Sequence, residues 1–157
     1  MKKIKRVKIH REGRNTIIGL TLVLFVMNII AFMYTAHWIF AILLLLSAIL
    51  LVFVTYFFRN PVRVLELDDP KFLVAPADGR VVVVEPTMEN EYFHDKRLMI
   101  SIFMSLFNVH ANWFPVDGKV KFVKHQNGNY HKAWLPKASE ENERADTMIT
   151  TEHGVDV

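Results

Sequence analysis

Polar and apolar residues sort along this chain into regimes of different period. From Thr16 to Phe58, 43 consecutive residues contain no Asp, Glu, Lys or Arg. As one helix they would rise about 65 Å, roughly twice the hydrocarbon thickness of a bilayer. Tyr34, Thr35, His37 and Trp38 form the wet, aromatic patch within the run, so the pattern predicts two spans of 21 residues, 16–36 and 38–58, joined by a very short turn. Phe57-Phe58-Arg59-Asn60-Pro61 ends the second helix, because a residue before proline disfavours helical φ/ψ. Residues 59–71 then read as a linker with a turn at Asp68-Asp69-Pro70.

Beyond the linker the period changes. Phe72–Ala75, Val81–Val84, Leu98–Met104, Lys119–Lys124 and Thr147–Thr150 are short runs rich in β-branched or aromatic residues, as strands are. Pro76-Ala77-Asp78-Gly79, Pro86, Pro115-Val116-Asp117-Gly118, Asn127-Gly128-Asn129 and Pro136 separate them with turn chemistry. The expected fold is a two-helix transmembrane hairpin followed by a mainly antiparallel β domain, sandwich- or barrel-like, over 72–157. Thr147–Thr151, Glu152-His153-Gly154 and Val155–Val157 read as strand, turn and the start of a returning strand. The β domain is therefore expected to be incomplete at its C-terminus, or to take its remaining strands from another chain.

Charge gives the hairpin a direction. Residues 1–15 carry seven Lys/Arg and one acid, a balance of +6, whereas 59–157 carry −3. The arm Lys2, Lys3, Lys5, Arg6, Lys8, Arg11 and Arg14 lacks base-stacking aromatics, which argues against a nucleic-acid surface and for a cytoplasmic anchor. With Arg59 and Arg63 after the second span and no cation between the spans, the positive-inside rule puts both ends, and the β domain, in the cytoplasm at the cell (inner) membrane. A cleaved signal peptide and a single kinked or re-entrant segment are the competing readings. The absence of cysteine excludes disulfides, thiol nucleophiles and Cys-ligated metals.

Asn28, Ser47 and Thr55 are polar residues inside the spans, and they suit hydrogen bonds across the helices or to their own backbone rather than a transport path. His37 reads as a loop histidine. Asp78, in a Pro-Ala-Asp-Gly turn, is either an ordinary turn aspartate or a carboxylate that orients a histidine. His110 is either structural or a general base. His94, His125, His131 and His153 lack metal-ligand spacing, so no metal is expected. Ser101, Ser105 and Ser139 lack a nucleophile-elbow pattern. There is no phosphate-binding loop, dinucleotide fingerprint or visible internal repeat.

Five blocks in order make the pattern specific: Phe57-Phe58-Arg59-Asn60-Pro61; Ala75-Pro76-Ala77-Asp78-Gly79-Arg80; the run Ile100–Asn112 with Phe107-Asn108-Val109-His110; Pro115-Val116-Asp117-Gly118; and Lys137–Arg144. Together they closely resemble the short bacterial and archaeal type of phosphatidylserine decarboxylase proenzyme, over 57–157. The resemblance implies a pyruvoyl group made by self-cleavage before a serine in a C-terminal Gly-Ser motif, with His110 as general base and Asp78 orienting its imidazole. The pyruvoyl ketone takes up the amine of phosphatidylserine and serves as electron sink for loss of CO₂, yielding phosphatidylethanolamine. No Gly-Ser dipeptide occurs here, so the chain is expected to be a large-chain fragment, inactive alone, whose partners are membrane phosphatidylserine and its own small pyruvoyl-bearing chain. A homo-oligomer is compatible with the sequence. The longer family pattern has a histidine where Phe107 stands, so no second catalytic histidine is assigned. The rival readings are a non-catalytic membrane-tethered β module binding a partner or lipid headgroup, and a membrane-anchored metallohydrolase.

Overall fold

The computed structural model describes residues 3–64, 72–132 and 141–157. The expected turn at Asp68-Asp69-Pro70, the linker beyond residue 64, Pro136 and Ser139 with the first part of the Lys137–Arg144 block lie outside the described residues. The chain divides into two compact units, one of Met1–Asp68 with Leu106–Ala111, the other of Asp69–Ser105 with Asn112–Val157.

The first unit is a helical hairpin closed by a β ribbon. Helix α1 runs Arg11–Tyr34 and α2 runs His37–Phe57. Thus α1 begins five residues before the charge-free run: His10 caps it by accepting the Glu12 N–H at 3.3 Å, and Glu12 suits the positive end of the helix dipole. The connection is Thr35-Ala36, so His37 opens α2 instead of sitting in the turn. At 1.5 Å per residue the helices measure about 36 and 32 Å, and both are long and apolar enough to cross a membrane. Asn28 donates to Ser47 Oγ at 2.9 Å and to Leu24 O at 2.7 Å, while Ser47 donates to Leu43 O at 2.7 Å. These polar groups therefore link the helices and return to their own backbone, as their isolation in apolar runs suggests. Phe32 meets Phe40 edge-on near the connection, with centroids 5.4 Å apart.

The basic arm and the start of the linker are more ordered than the sequence suggested. Strand β1, Lys3–Ile9, pairs antiparallel with β2, Arg59–Val64, with Ile9 opposite Arg59, Val7 opposite Pro61 and Arg6 opposite Val62. The register shifts between Ile4 and Arg6, where the spacing of Ile4, Val7 and Ile9 departs from two. Pro61 is tolerated because a two-stranded ribbon consists only of edges. The ladder runs straight into the helix ends, with His10 N–H donating to Phe58 O at 2.9 Å. A side chain at Gly13 would overlap the Phe58 ring, which explains glycine where α1 passes the end of α2.

The second unit contains two hairpins, β3 (Arg80–Glu89) with β4 (Asp95–Phe103) and β5 (Gly118–Gln126) with β6 (Arg144–Thr151). Together with β1–β2 this gives three separate two-stranded antiparallel sheets; no closed barrel or sandwich is formed among the described residues. The apolar strand residues Val84, Leu98, Ile100 and Val123 are exposed, and Met148 and Ile149 are the buried apolar strand residues. Too little apolar surface is covered to make the second layer that a sandwich needs. Residues 72–75 lie in no ladder, correcting the expected strand. Instead Val74 N–H donates to Pro115 O and Trp113 N–H to Pro76 O, both at 2.8 Å.

That reciprocal pair belongs to a repeat that the sequence hides. A Cβ at Gly79 would meet Phe103 O and, at 2.7 Å, Ile102 Cγ2; a Cβ at Gly118 would meet Thr150 O and, at 2.8 Å, Ile149 Cγ2. Both ladders then slip one residue, between Val81 and Val83 and between Val120 and Phe122. The two Pro-x-Asp-Gly turns therefore open equivalent hairpins. At the β3–β4 turn the Glu89 carboxylate accepts the N–H groups of Glu91, Tyr92 and Phe93 at 2.6, 2.9 and 2.5 Å. Glu91 in turn accepts from Lys124 of β5 and Arg144 of β6, each at 2.6 Å. At the other end, Val157 N–H donates to Ile149 O and Ile149 N–H to Val157 O, both at 2.9 Å, around Gly154 at φ 76°, which is the hairpin expected there.

Candidate active site

The loop Leu106–Ala111 packs with the helical unit. Val109 is buried, 3 % exposed. Phe107 lies edge-on to Phe53 with centroids 6.5 Å apart, and its carbonyl accepts from Arg59 Nη2 at 2.6 Å. Arg59 also donates through Nη1 to Tyr56 O at 2.8 Å and lies over the Tyr56 ring at 3.6 Å. The His110 imidazole stacks on Phe57, the last residue of α2, at 4.2 Å and 31°. The Arg59 fork and the two aromatic contacts thus hang this loop on the C-terminal end of α2.

His110 Nδ1 lies 3.2 Å from Asn108 O. A carbonyl oxygen only accepts, so this contact favours the tautomer with its proton on Nδ1 and a lone pair on Nε2. An exposed imidazole held this way can take a proton at Nε2. Asp78 is half-buried in the turn before β3, in the second unit. Because Asp117 occupies the matching turn before β5, the turn geometry accounts for an aspartate at both places; what singles out Asp78 is the family resemblance. Ser101, near the end of β4, and Ser105, just beyond it, are half-buried. Among the described residues no three His, Cys, Asp or Glu side chains gather as a metal site.

The sequence did not single out Phe57, Arg59 or Asn108 for the site. Phe57-Phe58-Arg59-Asn60-Pro61 was informative only as a helix stop and as a block of the resemblance, since spacing does not show which distant loop a helix end will hold.

Comparison with known proteins agrees with those blocks. Residues 50–157 match the family model described as phosphatidylserine decarboxylase. The chain is 50% identical over 158 residues to the phosphatidylserine decarboxylase proenzyme of Bacteroides thetaiotaomicron, covering all of this chain and 69% of that relative. It is 51% identical over 155 residues to that of Phocaeicola vulgatus, covering 98% of this chain and 68% of the relative, and 35% identical over 153 residues to that of Amoebophilus asiaticus, covering 96% and 68%. No solved structure matches. The chain belongs to the phosphatidylserine decarboxylase family, a family of carboxy-lyases.

Proposed function

We propose that this chain is the membrane-embedded large part of a proenzyme that cleaves itself and then converts phosphatidylserine to phosphatidylethanolamine. The observation that carries the reading is the seating of His110 on the end of α2, in a chain matched along its whole length by decarboxylase proenzymes. On this reading α1 and α2 cross the membrane with both ends cytoplasmic, and the end of α2 lies at headgroup depth. A base anchored there works beside the amine and carboxylate of a lipid that never leaves the bilayer. The hairpin is then scaffold for the site as well as tether.

The family's prosthetic group is a pyruvoyl, which supplies an electron sink for loss of CO₂. Its serine precursor is not identified in these residues, which contain no Gly-Ser dipeptide. The donor set nevertheless fits the need of such a group. His110 would offer Nε2 as the proton acceptor for a serine hydroxyl, with Asn108 O holding the proton at Nδ1, and the family resemblance alone nominates Asp78 as the carboxylate that acts with it. The remaining chain of the mature enzyme would be the small pyruvoyl-bearing piece.

The test is expression of the gene in its native reading frame, then intact-mass spectrometry and release of label from carboxyl-labelled phosphatidylserine. Two chains, one with an N-terminal pyruvoyl, together with released label are expected. One intact polypeptide that releases no label overturns the reading.

A further inference from the structure

The last carbonyls of an α-helix lack a partner within the helix. At the end of α2 an arginine one place beyond the cap residue Phe58 supplies one: Arg59 Nη1 donates to Tyr56 O at 2.8 Å, with the guanidinium 3.6 Å from the centre of the Tyr56 ring. The backbone of Arg59 is held as well, opposite Ile9 in the β1–β2 ladder. A guanidinium is a rigid planar fork, so fixing Nη1 limits where Nη2 points, and Nη2 donates to Phe107 O at 2.6 Å. We propose that Arg59 is a positioning residue for His110: by holding the Phe107 carbonyl it fixes the Asn108 carbonyl that takes the Nδ1 proton, and so keeps the Nε2 lone pair of the imidazole free. The inference rests on the reading of His110 as a base and adds what sets its tautomer.

Two contacts hold the imidazole, and they differ in kind. The Phe57 stack, at 4.2 Å and 31°, sets the plane of the ring, but an aromatic face does not distinguish the nitrogen that carries the proton from the one that lacks it. The tautomer is set by the partner of Nδ1, which is Asn108 O at 3.2 Å. Because peptide units are planar, that carbonyl turns only through ψ of Asn108 and φ of Val109.

Holding the units on both sides limits that turn. On one side Val109 is buried. On the other, the carbonyl of the Phe107–Asn108 peptide takes the Arg59 bond, so a single residue separates the guanidinium's grip from the acceptor of the imidazole proton. Residues 106–111 lie in no ladder, and a side-chain anchor here fixes carbonyl directions that strand pairing fixes elsewhere. Engaged through its face and both Nη atoms, Arg59 acts through the loop. A lysine, a point donor without the fork, could not bridge the two carbonyls in the same way.

Long-range proton–nitrogen NMR of the histidine-labelled full chain in detergent micelles, at about pH 8 where ordinary histidines are neutral, reads which nitrogen of His110 carries the proton. Loss of the signal in His110→Gln assigns it. Nδ1–H is expected in the wild type. Arg59→Met keeps an apolar stem and removes every donor, and it should move the tautomer ratio about tenfold toward Nε2–H, as for loss of one charge-assisted bond. In the native-frame proenzyme the same variant should slow self-cleavage by about tenfold. Phe53→Ala takes a ring contact from the same loop but leaves the carbonyl bond, so it should keep the wild-type tautomer. Arg97→Met removes an arginine from the Phe93 ring and from Asp95 and should change neither readout. An Nε2–H imidazole in the wild type overturns the proposal without any variant. A wild-type tautomer or wild-type cleavage in Arg59→Met overturns it too, as does an equal shift in Phe53→Ala, which would make the effect one of general loosening. Wild-type proenzyme that never cleaves refutes the reading of His110 as a base, and the tautomer comparison then judges the Arg59 contact by itself. Circular dichroism confirms that each variant keeps its helices.

Discussion

Phe57, the last residue of α2, stacks against the imidazole of His110 at 4.2 Å. The ring pair joins a helix end to a loop 53 positions further along the chain. Truncating Phe57 to alanine removes that stack but leaves the Arg59 to Phe107 O bond. Amides 108–111 should exchange about fivefold faster, from loss of an aromatic pair typically contributing about 1 kcal/mol beyond area burial. Phe57→Tyr should keep the wild-type exchange. Hydrogen exchange in detergent micelles measures both, and unchanged protection in Phe57→Ala would show that the loop does not depend on the stack.

Gly79 and Gly118 should be equally intolerant of a side chain. At each, a Cβ runs into a carbonyl of the partner strand, Phe103 O or Thr150 O, and a ladder carbonyl cannot move without breaking its pairing. Gly79→Ala and Gly118→Ala should each destabilise by about 1–3 kcal/mol, seen as lowered thermal midpoints. Gly19→Ala, in α1 with nothing within 4 Å, should be neutral or stabilising, since alanine favours helix by up to about 1 kcal/mol. A tolerant Gly118 beside an intolerant Gly79 would contradict the equivalence of the two hairpins.

What the sequence made legible follows from the range of the forces involved. Two helices with a break between them, placed at His37 where Thr35-Ala36 forms it, and four of the five later strands are visible because hydrophobic period and turn residues act locally. The β1–β2 ribbon was not: Lys3–Ile9 looks like a charged tail until Arg59–Val64 is beside it, and that pairing depends on the helices bringing both ends together. The Phe72–Ala75 run has strand composition but lacks a full ladder partner. The two Pro-x-Asp-Gly turns were noticed separately, yet their equivalence rests on Val74–Pro115 and Trp113–Pro76 bonds that little residue identity betrays. Asp78 and His110 stand out in the sequence through family resemblance, whereas the loop's anchor on Phe57 and Arg59 is a long-range contact that no local pattern encodes.

Acid should loosen the β3–β4 turn. The N–H of Phe93, with those of Glu91 and Tyr92, holds the Glu89 carboxyl below its ordinary value, and hydrogen bonds from Lys124 and Gln126 lower Glu91. A carboxylate lowered on folding adds stability above its unfolded value and loses it as pH falls through the folded one. Chemical shifts of amides 91–93 should therefore hold from neutral pH to about pH 5 and move below about pH 4. Glu89→Gln should abolish that transition, and a transition that persists in the variant assigns it elsewhere.

The direction of the hairpin is testable without activity. Cations flank the apolar run on one side only, with Arg6 and Lys8 before α1, Arg11 and Arg14 at its start, and Arg59 and Arg63 after α2, so both ends should be cytoplasmic. Reporter fusions after Arg14 and after Arg63 should signal inside the cell, and one at Thr35 outside. An outside signal after Arg63 would refute this topology.

Self-cleavage decides the roles of Asp78 and His110. In the native-frame proenzyme, His110→Ala removes the Nε2 acceptor and should leave the precursor uncut, a loss of at least about 10³-fold if general-base catalysis governs the step. Asp78→Asn preserves an oxygen able to cap the turn, so the thermal midpoint should stay within about 1 kcal/mol of wild type, while cleavage should slow if the carboxylate acts with His110 as the family resemblance implies. Asp117→Asn is the matched control, since Asp117 precedes Gly118 as Asp78 precedes Gly79 in the equivalent turn, and it should cleave normally. Intact-mass spectrometry over time separates the outcomes. Slow cleavage confined to Asp78→Asn and His110→Ala supports the pair. Equal slowing in Asp117→Asn makes the effect one of turn stability, and equal cleavage in all variants returns Asp78 to a turn residue and His110 to a structural one.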